Sequence, residues 1–178
     1  MKQNKKMAKV VQHINEQAPN LHLVIDCDFI ANIDKLPLKD KAHIGLFSHK
    51  KPVQDLHYQT LLSELSYLCC AKTYPFFAIL DHQILAHAFH QALAILPGID
   101  VDINAREALS KLNLVVKAYQ FDTRKPMILY GKYIGYLPKS NIQNALNKGQ
   151  MRMIKPSELT YPFDLSMVHK KQIKNMLK

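Results

Sequence analysis

The longest apolar stretch of the 178-residue chain, Phe76–Leu96, constrains the possible folds more than any other feature. Pro75 stands where proline is accepted in a first helical turn, and Pro97 with Gly98 stands where a helix ends. On a helical wheel most of the surface is apolar, and a narrow polar stripe holds Gln83, His87, His90 and Gln91. The stretch therefore predicts one long helix at the centre of the core. It is too polar to span a bilayer.

Other helices are predicted from apolar spacing and from residues that begin or end helices. The apolar positions of Leu56–Ala71 recur at helical spacing. Ser140 with Gln143 matches a capping box, and Gly149 stands where the helix that follows ends. The predicted helices besides the central one are Lys5–Gln17, Leu56–Ala71, Asn104–Leu112, Asn141–Lys148 and a basic terminal helix Asp164–Lys178.

Strands are predicted where apolar residues alternate or form short runs. Gly131 and Lys132 separate two such segments, and glycine at the first position of a two-residue turn fits a type II′ hairpin. The predicted strands are 21–25, Ile44–Phe47, Leu114–Ala118, the hairpin segments Met127–Tyr130 and Tyr133–Tyr136, and Gln150–Ile154.

Together these patterns predict a single α+β domain over residues 1–178. Its helix-rich N-terminal two thirds would pack on a small, mostly antiparallel sheet with a C-terminal β-hairpin. Residues 1–9 carry four lysines and no acid, and we expect them to form a flexible basic tail. They are followed by polar residues rather than by the apolar region of a signal peptide, so we expect a cytoplasmic protein.

Charge is segregated along the chain. Residues 10–110 have a net charge of −4, whereas residues 111–178 have a net charge of +10. A basic excess concentrated in one part of a chain indicates a surface that meets a polyanion. We expect that surface to contain Lys117, Arg124, Lys125, Tyr130, Lys132, Tyr133, Lys139, Arg152 and Lys155.

Cations mixed with tyrosine rings suit contact with phosphates and stacking on unpaired bases. The first functional hypothesis is therefore a nucleic-acid-associated protein that binds the phosphate backbone of RNA or DNA. Lysines also steer association with acidic proteins, and tyrosines anchor such interfaces. The alternative is a non-catalytic adaptor, or a subunit of a larger assembly, that binds an acidic protein partner.

A third hypothesis concerns carboxylates. The segment Val24–Ala31, with Asp26 and Asp28, resembles the opening of PIN-type ribonuclease domains, and Glu64 and Asp102 follow in a matching order. The resemblance implies a nuclease whose carboxylates bind Mg²⁺ or Mn²⁺. The same Asp-x-Asp pair is similar to the start of haloacid-dehalogenase-like phosphatases, but no paired acidic motif follows it. Aspartates after strands also bond to their own turn backbone, which is the non-catalytic alternative.

The remaining reactive residues give no complete motif. His87 and His90 have the i, i+3 spacing of a shared ion site but lack a third ligand at a recognisable spacing. Three cysteines without metal-knuckle spacing favour reduced, buried thiols. Five glycines form no phosphate-binding loop signature. We therefore expect no cofactor outside the nuclease hypothesis, and a binding protein rather than an enzyme.

Overall fold

One mixed sheet organises the molecule. The computed structural model describes residues 2–25, 35–48, 53–97 and 103–171, and in these ranges seven strands form a single sheet. The strands are β1 (Gly45–Ser48), β2 (Leu56–Ala71), β3 (Leu93–Leu96), β4 (Asn113–Lys117), β5 (Ile134–Pro138), β6 (Met151–Met153) and β7 (Thr160–Lys170). The helices are α1 (Lys2–Gln17), α2 (Lys35–Leu38), α3 (Ala86–Gln91), α4 (Ile103–Ser110), α5 (Phe121–Leu129) and α6 (Lys139–Asn147), with 3₁₀ turns at Pro75–Ala78 and Asp81–Gln83.

Two long strands connect two lobes. The sheet order is β1-β7-β2-β5-β3-β4, and β6 pairs with β2 beside this path. β2 and β7 pair antiparallel from Leu56↔Lys170 to Tyr67↔Thr160, with one shift of register between Thr60 and Leu62. Ser66 of β2 lies opposite Pro138, the last residue of β5. Residues 56–65 of β2 and 162–170 of β7 therefore extend beyond β5, and with β1 and α2 they form lobe I. The described residues between 66 and 161 form lobe II.

Lobe II has helices on both faces of its sheet. Leu68 of β2 packs on one face with Phe89 of α3 and Leu109 of α4. Cys69, the next residue, packs on the opposite face with Ile128 of α5 and Ile142 of α6. Because both faces are covered, β2 ends in a continuous buried run and all five residues of β5 are buried.

The predicted fold class is therefore wrong. The N-terminal two thirds are not helix-rich, the sheet is mixed rather than mostly antiparallel, and no C-terminal hairpin forms within the described residues. The segment Leu56–Ala71, predicted as a helix, is the longest strand. Its helical spacing arose partly from Leu61, Leu62 and Leu65, which are 49%, 40% and 44% exposed and so do not mark a core stripe.

The predicted central helix Pro75–Leu96 is also wrong. The segment contains two 3₁₀ turns, the short helix α3 and strand β3. β3 lies between β5 and β4 and pairs parallel with both. A four-residue apolar run buried between helices looks the same in sequence whether it is a strand or part of a buried helix, so periodicity did not separate the two.

The predicted hairpin at Gly131 and Lys132 is replaced by a helix followed by a strand. Residues 121–129 form α5, Tyr130 caps it, and Gly131 has φ +90°. A glycine with positive φ occurs both in type II′ turns and just after helices. Gly131 is of the second kind, because it follows α5. β5 then begins at Ile134 and pairs with β2 and β3.

Several helices and strands predicted from the spacing of neighbouring residues are confirmed. The helices predicted at Lys5–Gln17, Asn104–Leu112 and Asn141–Lys148 are confirmed as α1, α4 and α6, and Gly149 follows α6 with φ +61°. The strands predicted at Ile44–Phe47, Leu114–Ala118 and Gln150–Ile154 are confirmed as β1, β4 and β6.

Two predictions at the ends of the chain are wrong. Residues 21–25 form no strand, and Val24 is 83% exposed. The predicted terminal helix is strand β7 as far as Lys170, and residues 172–178 lie outside the described part of the chain.

Candidate functional site

The candidate site lies at the edge of the lobe II sheet where its parallel strands end. β3, β4 and β5 are parallel, so their carboxyl ends meet at one edge of the sheet. α4 follows β3 and packs on one face of the sheet, whereas α5 follows β4 and packs on the other face. In open α/β sheets, ligands bind where consecutive connections go to opposite faces. β2 and β7 cross this edge into lobe I. The candidate site is this edge and the crossing strands, and we call it the interlobe cleft.

Glu64 connects lobe I to the start of α6. Its carboxylate accepts hydrogen bonds from the Ser140 backbone N–H at 2.8 Å and from Ser140 Oγ at 2.7 Å. A carboxylate at a helix N-terminus satisfies free N–H groups and complements the helix dipole. The predicted capping box is wrong, since α6 begins at Lys139 and the Gln143 side chain bonds to Asn147.

Two phenylalanines form an apolar contact across the cleft. Phe121 begins α5, and Phe163 lies on the part of β7 that has already crossed into lobe I. Their ring centroids are 5.2 Å apart in an edge-to-face arrangement, which aromatic quadrupoles favour. This contact joins the first turn of a lobe II helix to lobe I.

Arg124 lies beneath Phe121 and is 2% exposed. Nε and Nη2 both donate to the Ala118 carbonyl, at 3.2 and 2.9 Å, and Nη2 also donates to Tyr119 at 3.2 Å. Nη1 donates to the Tyr136 carbonyl at 2.8 Å. Burial lowers the pKa of this guanidinium, because the interior disfavours its charge. Arg124 thus ties the residues that follow β4 to β5 across the intervening strand β3 and holds the cleft edge in place.

A buried polar cluster lies in the core on the Leu68 face of the sheet. The Tyr136 and Tyr161 rings are 4.9 Å apart, and a hydrogen bond joins Tyr161 to Ser66. Burial raises the pKa of both tyrosines. The Tyr136 hydroxyl is buried and has no hydrogen-bond partner among the residues that the structure describes. A buried water is the partner that such an enclosed hydroxyl requires.

The predicted basic surface is divided between two ends of lobe II. Lys117 ends β4 and Lys139 begins α6, so both lie at the cleft edge. Tyr130, 72% exposed, and Lys132 follow the other end of α5, with the Lys132 Nζ 5.9 Å from the centroid of the Tyr130 ring. Tyr133 packs partly buried against the core.

Several of the other predicted cations are engaged within the chain. The Lys125 Nζ donates to the Asn141 carbonyl at 2.7 Å, and the Lys155 Nζ lies 3.8 Å from the Glu158 carboxylate. Arg152 forms an ion pair with Asp81 and donates to the Ile79 carbonyl at 2.6 Å. Arg124 is in the core. Contact of the whole predicted set with nucleic acid or an acidic partner stays a prediction.

The predicted nuclease carboxylates are not brought together by the described structure. Glu64 caps α6, whereas Asp26, Asp28 and Asp102 lie outside the described residues. In the described ranges no three histidine, cysteine or acidic side chains form a group that could hold a metal ion. No described helix is long and apolar enough to cross a membrane.

Several residues of the cleft were missed from the sequence. Phe121, Tyr136, Tyr161 and Phe163 were not predicted as site residues. Tyr161, Phe163 and Leu165 alternate along β7, and this period-2 pattern was the available signal.

A protein-family model matches most of the chain. The family described as LysR substrate binding domain matches residues 4–175. The HTH-type transcriptional activator BauR of Pseudomonas aeruginosa is 25% identical over 155 residues, which are 87% of this chain and 51% of that protein. The chain therefore spans about half the length of this curated relative.

Solved structures show the same fold. The regulatory domain of MexT, a transcriptional activator in Pseudomonas aeruginosa, has a TM-score of 0.68 at 17% identity, covering 95% of this chain and 85% of that one. Full-length HypT from Salmonella typhimurium, a hypochlorite-specific LysR-type transcriptional regulator, has a TM-score of 0.70 at 13% identity, covering 92% and 57%. The shared architecture is the two-lobe α/β fold of periplasmic binding proteins.

Proposed function

Because the chain belongs to the LysR substrate-binding domain family, we propose that it is the ligand-sensing domain of a LysR-type transcriptional regulator. The observation that carries this proposal is the crossing of β2 and β7 from lobe II to lobe I beside the carboxyl ends of β3, β4 and β5. A small-molecule effector would bind in the interlobe cleft, where ligands of open α/β sheets bind.

The cleft contains groups suited to such a ligand. Phe121 and Phe163 provide apolar surface from both lobes, and Lys117 and Lys139 provide polar groups at the cleft edge. Small-molecule sites commonly combine an apolar lining with a few fixed polar groups. A ligand that binds one relative position of the lobes more tightly shifts the population toward it, and β2 and β7 would carry that change.

DNA is the polyanion that this proposal favours. The sequence predicted a protein associated with RNA or DNA, and LysR-type regulators are DNA-binding proteins, so promoter DNA is the partner that we expect of these two. Such regulators act in the cytoplasm and oligomerise, and we propose both for this protein. The net charge of +10 supports attraction to DNA without identifying the residues that contact it.

A ligand screen tests the effector site. The chain would be screened by thermal shift against a panel of amino acids, small carboxylates and amines, and stabilising compounds would be titrated by calorimetry. We expect Phe163→Ala to weaken binding of a stabilising compound by about tenfold, equivalent to about 1.4 kcal/mol. Tyr130→Ala, at the far end of α5, is the matched aromatic control and should leave the affinity unchanged.

Two outcomes would contradict the proposal. One is a panel in which no compound raises the melting temperature. The other is a saturable ligand whose affinity is the same in the wild-type chain, in Phe163→Ala and in Phe121→Ala, because such a ligand would bind outside the interlobe cleft.

A further inference from the structure

Two histidines face each other across the strands that join the lobes. His57 of β2 and His169 of β7 are directly opposite in the antiparallel register. Their ring centroids are 5.0 Å apart, and the ring planes are tilted by 41°. His57 is seven residues before Glu64, so at the rise of a strand the pair lies about 23 Å along β2 from the cleft contact of Glu64. The pair is thus separate from the effector site.

In the part of the chain that the structure describes, the face that carries the pair is accessible to solvent. Leu56 and Val168 belong to a small core on one face of the β2–β7 ribbon, and Tyr58 packs against that core. Successive side chains of a strand point to opposite faces, so His57 points to the other face, where it is exposed. His169 is half-buried. An ion from solvent therefore has access to both rings.

The hydrogen bonding of His169 leaves a ligating nitrogen available. Its Nδ1 lies 2.7 Å from the Lys170 carbonyl oxygen. A carbonyl oxygen only accepts, so Nδ1 carries the proton and Nε2 of the neutral ring keeps its lone pair. Histidines that bind metals typically donate their other ring N–H to such an oxygen, which fixes the tautomer and the ring orientation.

The spacing of the rings matches two ligands of one ion. With metal–nitrogen bonds of about 2.0–2.1 Å, each centroid lies about 3.2 Å from the ion, and ligand angles of about 90–109° give centroid separations of about 4.5–5.2 Å. The observed 5.0 Å falls in this interval. The neighbouring Lys170 ammonium is paired with Asp40 at 2.6 Å, which offsets its repulsion of a cation.

We propose that His57 and His169 form a two-histidine site for a divalent late transition-metal ion, with water completing its coordination. Imidazole suits zinc, copper and nickel, whereas magnesium and calcium prefer oxygen ligands. The bound ion ties β2 to β7 within lobe I. This assignment does not depend on an effector in the cleft.

The test is a Zn²⁺ titration of the full chain by calorimetry, with a parallel thermal-shift series. We expect saturable Zn²⁺ binding that raises the melting temperature. His57→Asn and His169→Asn should each weaken this binding by more than about tenfold, because even the loss of an outer-shell partner costs 10–100-fold. His82→Asn, an exposed histidine in a 3₁₀ turn of lobe II, is the matched control and should bind Zn²⁺ as the wild type does.

Two results would overturn the proposal. One is equal Zn²⁺ stoichiometry and affinity for the wild type and the His57→Asn/His169→Asn double variant. The other result is measured on the wild-type chain alone, so it remains informative if the variants fail to fold. Nitrogen-15 spectra of the histidine side chains should show Zn²⁺ shifting the Nε2 signal of His169 together with a ring nitrogen of His57. Unshifted signals at saturating Zn²⁺ would exclude the site.

Discussion

Arg124→Met removes the buried guanidinium that holds the cleft edge. Four hydrogen bonds to the carbonyls of Ala118, Tyr119 and Tyr136 are lost, and methionine keeps much of the apolar stem. Two of these carbonyls, those of Ala118 and Tyr119, follow the last residue of β4. The variant therefore tests whether hydrogen bonds or desolvation decides the contribution of Arg124.

The magnitude follows from two opposing effects. Each buried carbonyl that loses its donor costs about 1–3 kcal/mol. Removing a buried cation returns several kcal/mol of desolvation, consistent with the lowered pKa of Arg124. We expect the free energy of unfolding to fall by about 3 kcal/mol. For a chain of this size that corresponds to a melting temperature lower by about 6–12 °C.

Urea and thermal unfolding followed by circular dichroism measure this change. Lys132→Met, which removes an exposed cation from the same region of the chain, is the control and should change stability by less than about 0.5 kcal/mol. An Arg124→Met chain as stable as the wild type would refute the reasoning. It would show that the cost of burying the guanidinium equals the gain from its four hydrogen bonds.

Two further predictions concern glycines and thiols. Gly131→Ala should destabilise the chain by about 2 kcal/mol or more, because φ is +90° and the new Cβ would collide with the Thr73 side chain. Gly149→Ala, with φ +61° and open space around it, should cost only about 1 kcal/mol in the same urea titration. Burial raises the pKa of Cys69, and it raises that of Cys70 to about 12, so a disulfide reagent at pH 8 should modify these thiols only after unfolding. Since the folded pKa of Cys70 exceeds its ordinary value of 9.0, its contribution to stability is complete below pH 9 and is lost as the pH rises toward 12. Rapid modification of Cys69 and Cys70 in the folded chain, or a stability independent of pH above 9, would contradict this.

The cleft itself was only partly accessible to sequence reasoning. Glu64 was singled out as a metal ligand, but its carboxylate caps α6, since β2 carries it to the start of a helix 76 residues later in the chain. Arg124 was assigned to a basic surface because its charge was visible, whereas its burial was not. Phe163 lay just before the predicted terminal helix Asp164–Lys178 and was assigned to no element, so its place opposite Phe121 was not foreseen.

The sequence by itself determined the elements that depend on neighbouring residues. Helices α1, α4 and α6, the end of α6 at Gly149, and strands β1, β4 and β6 follow from local spacing and turn chemistry. The overall basic charge also follows directly from composition. These features need no knowledge of what packs against them.

Only the tertiary structure decided the long-range elements. Leu56–Ala71 and Thr160–Lys170 became the two crossing strands because they pair with each other, and Leu93–Leu96 became a strand because two parallel partners flank it. Burial on both faces removes the alternation that identifies a strand, and exposed leucines imitate a helical stripe. The cleft and the His57–His169 pair exist only through the register of β2 with β7, which contacts distant in the chain establish.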